Sequence, residues 1–196
     1  MKFRSIVVFC GSNPGKLPAP AATAKRCGQW LARRHIDIVY GAGNIGLMGV
    51  LADAALAEGG RVIGVIPGFL KEKEVCHTGL SELHVVDSMH ERKIIMARLS
   101  QAVLVLPGGY GTLDELFEML TLVQLGQHTH PIGILNEDGF YAPLLQQLDH
   151  MEASGFLRPE HRRLILDGPS LEGLLERMQT YEPPQTQGKW LDLDRW

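Results

Sequence analysis

The chain has 196 residues, 45% of them hydrophobic, and a formal net charge of -3 at pH 7. Those values predict one domain with a substantial core, and the absence of a basic run gives no electrostatic reason to expect a nucleic-acid polymer or an anionic membrane as partner. This lack of basic charge makes a small molecule a more expected partner. No apolar stretch approaches the roughly 20 residues needed to cross a bilayer.

The first predicted element is the apolar run at the N-terminus. It is too short for a signal peptide and has no small-residue cleavage site after it, so it is interpreted as a buried strand. Cys10, Cys27 and Cys76 are odd in number and form no CxxC pair. This cysteine usage favours reduced thiols in the cytoplasm over a disulfide framework.

Short aliphatic runs without polar alternation then recur along the chain. They span residues 5 to 10, 37 to 40, 61 to 67, 83 to 87, 102 to 107 and 131 to 135. Helix-length segments lie between and after them, at approximately 20 to 35, 45 to 59, 89 to 100, 112 to 126, 140 to 154 and 170 to 180. Continuous apolarity indicates strands buried on both faces. The alternation predicts an α/β, Rossmann-like fold with one doubly wound, mainly parallel sheet and helices on both faces.

The predicted nucleotide-binding domain covers residues 1 to 181. Residues 182 to 196 begin with helix-breaking prolines and are expected to form a C-terminal extension. Residues 68 to 82 form a long polar connection, which either covers the ligand crevice or is a disordered surface loop.

Glycine-rich loops follow four of the predicted strands. They read CGSNPG at 10 to 15, YGAGNIGLMG at 40 to 49, PGF at 67 to 69 and PGGYGT at 107 to 112. Ligands of doubly wound sheets bind beyond the carboxyl ends of the strands, where glycine allows close backbone approach, so these loops predict a phosphate and sugar site. Ordinary turns that happen to use glycine are the alternative.

Gly41, Gly43 and Gly46 match the GxGxxG pattern of dinucleotide-binding proteins. The match follows the second strand rather than the first, and the next strand ends without the acid that would hold a ribose. Dinucleotide binding is therefore disfavoured, whereas binding of one nucleotide remains compatible with the loop.

The segment SMHERKIIMARLS, residues 88 to 100, is predicted to be helical and to carry Arg92 on its apolar side. Projected at 100° per residue, Arg92 lies within about 60° of every member of the apolar stripe. The stripe comprises Met89, Ile95, Met96 and Leu99, and Lys93 lies beside it. An inward arginine needs an anion, which favours a substrate contact; the alternative is that it snorkels or pairs with a core carboxylate.

Glu115 shares a side of its own predicted helix with Met119 and Leu122, whereas Asp114 is expected to be exposed. Thr112 to Glu115 also spells T-x-x-E, a capping box in which the threonine caps the helix and the glutamate reaches back to the cap amide. On spacing alone, a capping glutamate and a catalytic one both remain open.

Taken together, five segments resemble a known family. They are CGSNPG, YGAGNIGLMG, SMHERK, LPGGYGTLDE and QLGQHTHPIGILNEDGFY. They look like the "lonely guy" family, phosphoribohydrolases that release cytokinin bases from their riboside 5'-monophosphates and that are often labelled possible lysine decarboxylases. The resemblance covers most of residues 5 to 165, and PGGxGTxxE together with MHxRK is far more specific than a lone glycine pattern.

The resemblance implies a Rossmann-like homodimer that hydrolyses the N-glycosidic bond of a nucleoside 5'-monophosphate to free base and ribose 5-phosphate. It implies Arg92 and Glu115 as the catalytic residues, and neither a cofactor nor a metal. Its phosphate loop falls on Gly108, Gly109, Gly111 and Thr112. The further expected substrate contacts are Gly11, Ser12, Gly43, Met89 and Lys93.

This chemistry agrees with the residue types. A carboxylate beneath the ribose stabilises the oxocarbenium-like sugar and activates water, and we expect Glu115 to do this. Backbone amides at a helix N-terminus hold a phosphate without a lysine. Whether Arg92 binds phosphate, orients Glu115 or assists the departing base stays open, as does the choice between Glu115 as base on water, our working hypothesis, and as nucleophile.

Other functions are compatible with parts of the pattern. A general purine nucleoside monophosphate hydrolase differs only in substrate range, and a non-catalytic nucleotide-binding module would gain nothing from a carboxylate near an anionic ligand. A pyridoxal decarboxylase needs a Schiff-base lysine, for which the crevice offers only Lys93. A metal site at His128 and His130 lacks a third ligand.

Overall fold

The computed structural model describes residues 3 to 71 and 76 to 184. Within this part of the chain, seven strands form one sheet in the order β4-β3-β2-β1-β5-β6-β7, and neighbouring strands pair in parallel throughout. The strands are β1 (Ser5–Phe9), β2 (Asp37–Tyr40), β3 (Val62–Pro67), β4 (Glu82–Val86), β5 (Val103–Val105), β6 (Ile132–Leu135) and β7 (Ile165–Gly168).

Helices connect these strands and cover both faces of the sheet. They are α1 (Ala19–Arg33), α2 (Gly46–Ala57), α3 (Gly68–Lys71), α4 (Met89–Arg98), α5 (Tyr110–Gln124), α6 (Ala142–Ala153), α7 (Pro159–Arg162) and α8 (Leu171–Gln179). Successive strand residues point to opposite faces, so Ile6 and Val8 join a core with α1, α2 and α8, whereas Val7 and Phe9 join a second core with α4, α5 and α6. The predicted doubly wound α/β fold is thereby confirmed.

The six predicted strands and six predicted helices all occur, with ends that shift by up to two residues. Sequence reasoning missed β7, whose four residues ILDG lie at the edge of the sheet and are only partly buried. It also missed the one-turn helices α3 and α7, which are too short to show a period.

In the connection between β3 and β4, the described residues from Cys76 onward contact the loop that follows β2. Gly43 and Cys76 form an isolated antiparallel bridge, and the amide of His77 donates to the carbonyl oxygen of Ala42 at 2.9 Å. Residues 76 to 80 of this connection therefore support the loop after β2, and the interpretation of the connection as a disordered loop is wrong for them. Most of the predicted C-terminal extension, residues 185 to 196, lies outside the described residues.

The strand order creates one switch point. The chain leaves β1 toward β2 on one side, whereas β5, on the other side of β1, continues to β6 in the opposite direction. The helices that follow β1 and β5 thus lie on opposite faces of the sheet, and a crevice remains between the carboxyl ends of these two strands. No helix in the described ranges has the length and apolarity needed to span a bilayer.

Candidate active site

A cleft of about 490 Å³ opens at this switch point. Its walls come from the loop after β1, the start of α2, the inner side of α4, the loop between β5 and α5, and the loop after β6. The lining includes Gly11, Ser12, Met48, Met89, Arg92, Gly108, Gly109, Gly111, Thr112, Glu115 and Phe140. Nine of the eleven predicted site residues therefore line one cavity, although they span a hundred positions of sequence.

Gly11 connects three of these walls through its backbone. Its amide donates to the carbonyl oxygen of Pro107 at 3.0 Å, and its own carbonyl accepts from the amide of Leu47 at 3.0 Å. A β-carbon on Gly11 would lie 3.3 Å from the α-carbon of Gly108. The strand ends approach so closely here that only glycine fits without displacing the loop.

The predicted phosphate loop forms the N-terminus of α5. The N-cap is Gly109, whose carbonyl accepts from the amide of Leu113 at 3.1 Å, and the helix begins at Tyr110. The amides of the first helical turn have no partner within a helix, and here they belong to residues that line the cleft. An anion in the cleft would meet these donors together with the positive end of the helix dipole.

The capping-box interpretation of Thr112 to Glu115 is wrong. Thr112 is the third residue of α5 rather than its cap, because the helix starts two residues earlier than its sequence pattern suggested. The threonine is buried, and its hydroxyl oxygen would lie 2.1 Å from a β-carbon added to Gly108. Thr112 therefore packs under the loop, and only a glycine at 108 leaves room for it.

Gly111 provides a test of what occupies the cleft. A β-carbon added there meets no atom within 4 Å, and the residue lies inside a helix, so Gly111→Ala should raise the free energy of unfolding by about 0.5 to 1 kcal/mol. If a phosphate sits against this turn, the added methyl group should at the same time weaken binding of ribose 5-phosphate by about tenfold. Thermal unfolding and isothermal titration calorimetry measure the two effects separately. Unchanged affinity would place the phosphate elsewhere.

Arg92 projects from α4 toward the sheet and is only 6% exposed. Its Nε donates to the carbonyl oxygen of Val65 at 3.1 Å and its Nη2 to that of Gly41 at 3.0 Å, while its Nη1 lies 3.7 Å from the sulfur of Met89. Two of its hydrogen bonds thus go to backbone carbonyls of β3 and of the loop after β2. The guanidinium is held rigidly at the cleft wall, as the inward position predicted.

The start of α4 explains this orientation. The Ser88 hydroxyl caps the helix by accepting from the amide of Glu91 at 3.1 Å, and the Glu91 carboxylate accepts from the amide of Asp87 at 2.9 Å. This S-x-x-E pattern is visible in the sequence and was the overlooked signal for the helix boundary. A helix that begins at Met89 places Arg92 one turn later, facing β2 and β3.

Glu115 lies in the second turn of α5, half-buried, and lines the same cleft as Arg92. Burial raises the pKa of the neighbouring Cys10 thiol, and the negative charge of Glu115 raises it further. Cys10 therefore stays neutral at physiological pH, and it lines the same cleft as Glu115.

Lys93 and Gly43 are the two predicted site residues that do not line the cleft. Lys93 is 8% exposed, and its ammonium donates to Asp114 at 3.0 Å and pairs with Glu118. Burial acts to lower the pKa of Lys93, but the hydrogen bonds and charges of these two carboxylates together raise it above its ordinary value. Asp114 is exposed, as expected, and this ion-paired cluster joins α4 to α5.

Gly43 has a structural role behind the cleft wall. A β-carbon there would lie 2.4 Å from the methyl group of Met48, whose side chain does line the cleft. Met48 and Phe140 are lining residues that sequence reasoning did not name. Both lie within segments that carried the family resemblance, so motif membership was the available signal.

Comparison with known proteins agrees with this arrangement. A family model described as possible lysine decarboxylase matches residues 48–178. A probable cytokinin riboside 5'-monophosphate phosphoribohydrolase from Oryza sativa subsp. japonica is 45% identical over 183 residues, which cover 93% of this chain and 74% of the relative. A cytokinin riboside 5'-monophosphate phosphoribohydrolase from Arabidopsis thaliana is 44% identical over 182 residues, covering 93% and 84%. The chain belongs to the lonely guy family.

Solved structures resemble this lonely guy protein in fold. The molybdenum cofactor binding protein of Rippkaea orientalis superposes with a TM-score of 0.66 at 22% identity, covering 92% of this chain and 98% of the other. The molybdenum cofactor carrier protein of Chlamydomonas reinhardtii gives 0.68 at 18% identity, covering 90% and 96%. At these identities the likeness shows the shared architecture alone.

The decarboxylase description of the family model has no support from the cleft of this lonely guy protein. A Schiff-base lysine must react as a neutral amine, whereas Lys93 is ion-paired outside the cleft with a raised pKa. The rings of His128 and His130 lie tilted by 38° to each other, with centroids 4.6 Å apart. Burial, and then the neighbouring His130, lower the pKa of His128 to about 4. Within the described residues, no group of three or more His, Cys, Asp or Glu side chains is placed to hold a metal ion.

Proposed function

We propose that this protein hydrolyses the N-glycosidic bond of a nucleoside 5'-monophosphate of the adenine or cytokinin type, yielding free base and ribose 5-phosphate. The names of its relatives support the reaction class. The observation that carries the proposal is the presence in one cleft of a helix N-terminus suited to phosphate, a buried arginine and a half-buried carboxylate.

The phosphate half of the substrate would bind at the first turn of α5. Gly109 and Gly111 leave open space beside the backbone amides, and Ser12 lies across the cleft on the loop after β1. Amides and a helix dipole neutralise part of the phosphate charge without a lysine, which accounts for a phosphate loop that lacks one.

The ribose would then lie over Glu115, four residues along α5 from Gly111. As the bond between C1' and the base nitrogen breaks, the nitrogen keeps the electron pair and takes up a proton, and positive charge develops on the sugar. The carboxylate stabilises that charge and accepts a proton from the water that bonds to C1'. Arg92, already fixed by two backbone carbonyls, contributes its remaining N–H groups to the substrate or to Glu115.

Incubation with adenosine monophosphate and with isopentenyladenosine monophosphate tests this proposal. Chromatography should show the free base and ribose 5-phosphate appearing in equal amounts. Release from both substrates at similar kcat/KM would instead favour a general purine nucleoside monophosphate hydrolase. Tight binding without release from either nucleotide would contradict hydrolysis and favour a non-catalytic nucleotide-binding module.

We also propose that the protein is a homodimer that pairs along the outer face of α5. That face carries exposed apolar side chains at helical spacing: Tyr110, which is 95% exposed, Phe117 and Leu125. Tyr110 belongs to both this face and the cleft, so a second copy would narrow the mouth of the site. Sedimentation equilibrium should give twice the chain mass, and a monomer at micromolar concentration would contradict the pairing.

We propose a cytoplasmic location for the protein. The three cysteines are free thiols, which suits a reducing compartment. Subcellular fractionation tests the location, and recovery in an oxidising compartment would contradict it.

A further inference from the structure

Tyr141 lies directly beneath the proposed phosphate loop, although it does not line the cleft. It is the N-cap residue of α6, is 2% exposed and packs in the core with α5 and α6. Its hydroxyl donates to the carbonyl oxygen of Leu106 at 2.8 Å. Leu106 is fully buried, so without this hydroxyl its carbonyl would lose a hydrogen bond that water cannot replace.

The environment of this hydroxyl keeps it protonated. Burial, and then the nearby Cys10 thiol, raise the pKa of Tyr141 above the ordinary value for tyrosine, and the backbone of Gly108 has a smaller opposite effect. The phenol is therefore protonated at neutral pH and gives its proton to Leu106.

Tyr141 is itself held by the far side of the sheet. Its amide donates to the side-chain oxygen of Asn136 at 2.8 Å, and the amide of Asn136 donates to the carbonyl oxygen of Gly168 on β7 at 2.9 Å. Beneath the loop, the buried side chain of Thr112 packs against Gly108. The position of the hydroxyl is therefore fixed by contacts that lead through Asn136 to β7, a strand that contributes no residue to the predicted phosphate loop.

We propose that Tyr141 is a positioning residue for phosphate binding: its hydroxyl clamps the carbonyl of Leu106, where the loop leaves β5, and so aims the following amides of the loop into the cleft. This inference rests on the proposed function, in which those amides bind the substrate phosphate. A phenylalanine at 141 would fill the same volume but leave the Leu106 carbonyl without this donor.

Tyr141→Phe tests the proposal against a matched control. Tyr40 is also fully buried, and its hydroxyl has no hydrogen-bond partner among the described residues. Tyr40→Phe therefore removes a buried hydroxyl that positions no backbone group. Calorimetry should measure the affinity of each variant for ribose 5-phosphate and for free adenine. In Tyr141→Phe, binding of ribose 5-phosphate should weaken by about tenfold while binding of adenine stays unchanged. In Tyr40→Phe, both affinities should match the wild type.

Several outcomes would overturn the clamp. Wild-type affinity for ribose 5-phosphate in Tyr141→Phe would do so. An equal loss of affinity for ribose 5-phosphate and for adenine would do so too, because it would indicate that the whole cleft has loosened. If Tyr141→Phe does not fold, Asn136→Ala is the second test, because it keeps the hydroxyl but removes the side chain that holds the Tyr141 amide. Asn136→Ala should show the same selective loss of affinity for ribose 5-phosphate, to a smaller degree. Wild-type affinity for ribose 5-phosphate in this variant would also contradict the proposal.

The measurement separates this inference from the proposed function because binding of ribose 5-phosphate requires no turnover. A wild-type protein that binds ribose 5-phosphate but releases no base would defeat the hydrolysis and leave the clamp intact. A wild-type protein that releases base but does not bind ribose 5-phosphate would defeat the clamp alone.

Discussion

Glu115→Gln is expected to lower kcat for base release by about 10²- to 10⁴-fold, because the amide can neither accept the proton of water nor offset the charge of the sugar. KM should change little, since the phosphate contacts of the loop remain. Because the N-cap of α5 is Gly109, the substitution removes no N-cap, so unfolding should not show the loss of about 1 kcal/mol that removal of a helix cap causes. Steady-state kinetics and denaturant unfolding measure the two quantities.

Glu118→Gln is the matched control for that experiment. It makes the same change one turn further along α5, outside the cleft, where Lys93 keeps Asp114 as a partner. We expect kcat to stay within about twofold of the wild type. Equal losses in the two variants would show that charge on α5, rather than the position of Glu115, supports turnover.

Arg92→Lys is expected to reduce kcat/KM by about 10²- to 10³-fold although it preserves the positive charge. An ammonium cannot reach the carbonyl oxygens of Val65 and Gly41 in the geometry of the guanidinium fork. These buried groups would lose their donors, so the free energy of unfolding should also fall, by about 1 to 3 kcal/mol. Kinetics at saturating and limiting substrate separate the loss in kcat from the change in KM.

Arg98→Lys is the matched control, because it makes the same substitution in the same helix at an exposed position, in the last turn of α4. Its kinetics and stability should match the wild type. Arg92→Lys with full activity but reduced stability would assign Arg92 to the support of β2 and β3, and would remove it from the catalytic mechanism.

The buried strands were predictable because burial on both faces leaves a local signature, a continuous apolar run. β7 escaped because its four residues lie at the sheet edge, where partial burial permits Asp167 within the strand. The inward position of Arg92 was predictable from helical spacing, since the stripe around it repeats with the period of the helix. Its partners were not, because Val65 and Gly41 belong to other strands and offer only backbone atoms, which no side-chain pattern reveals.

Lys93 illustrates the opposite case. Its place beside Arg92 in the MHERK segment suggested a substrate contact, but consecutive helical residues point about 100° apart. That rotation carries Lys93 to the side of α4 that meets α5, where Asp114 and Glu118 receive it. Which helix would lie there follows from the order of the strands, and the order is a property of the whole chain.

The sequence by itself determined the α/β alternation, the glycine loops at strand ends and the two charged side chains on apolar helix faces, because each depends on residues a few positions apart. The tertiary structure decided which loops share a cleft, where α5 begins, and that the Tyr141 hydroxyl bonds to the backbone just before the loop that follows β5. These features depend on contacts between residues distant in sequence: β1 lies beside β5, and a hydroxyl after β6 bonds to the backbone after β5. Such contacts follow from packing the complete sheet, which no local pattern encodes.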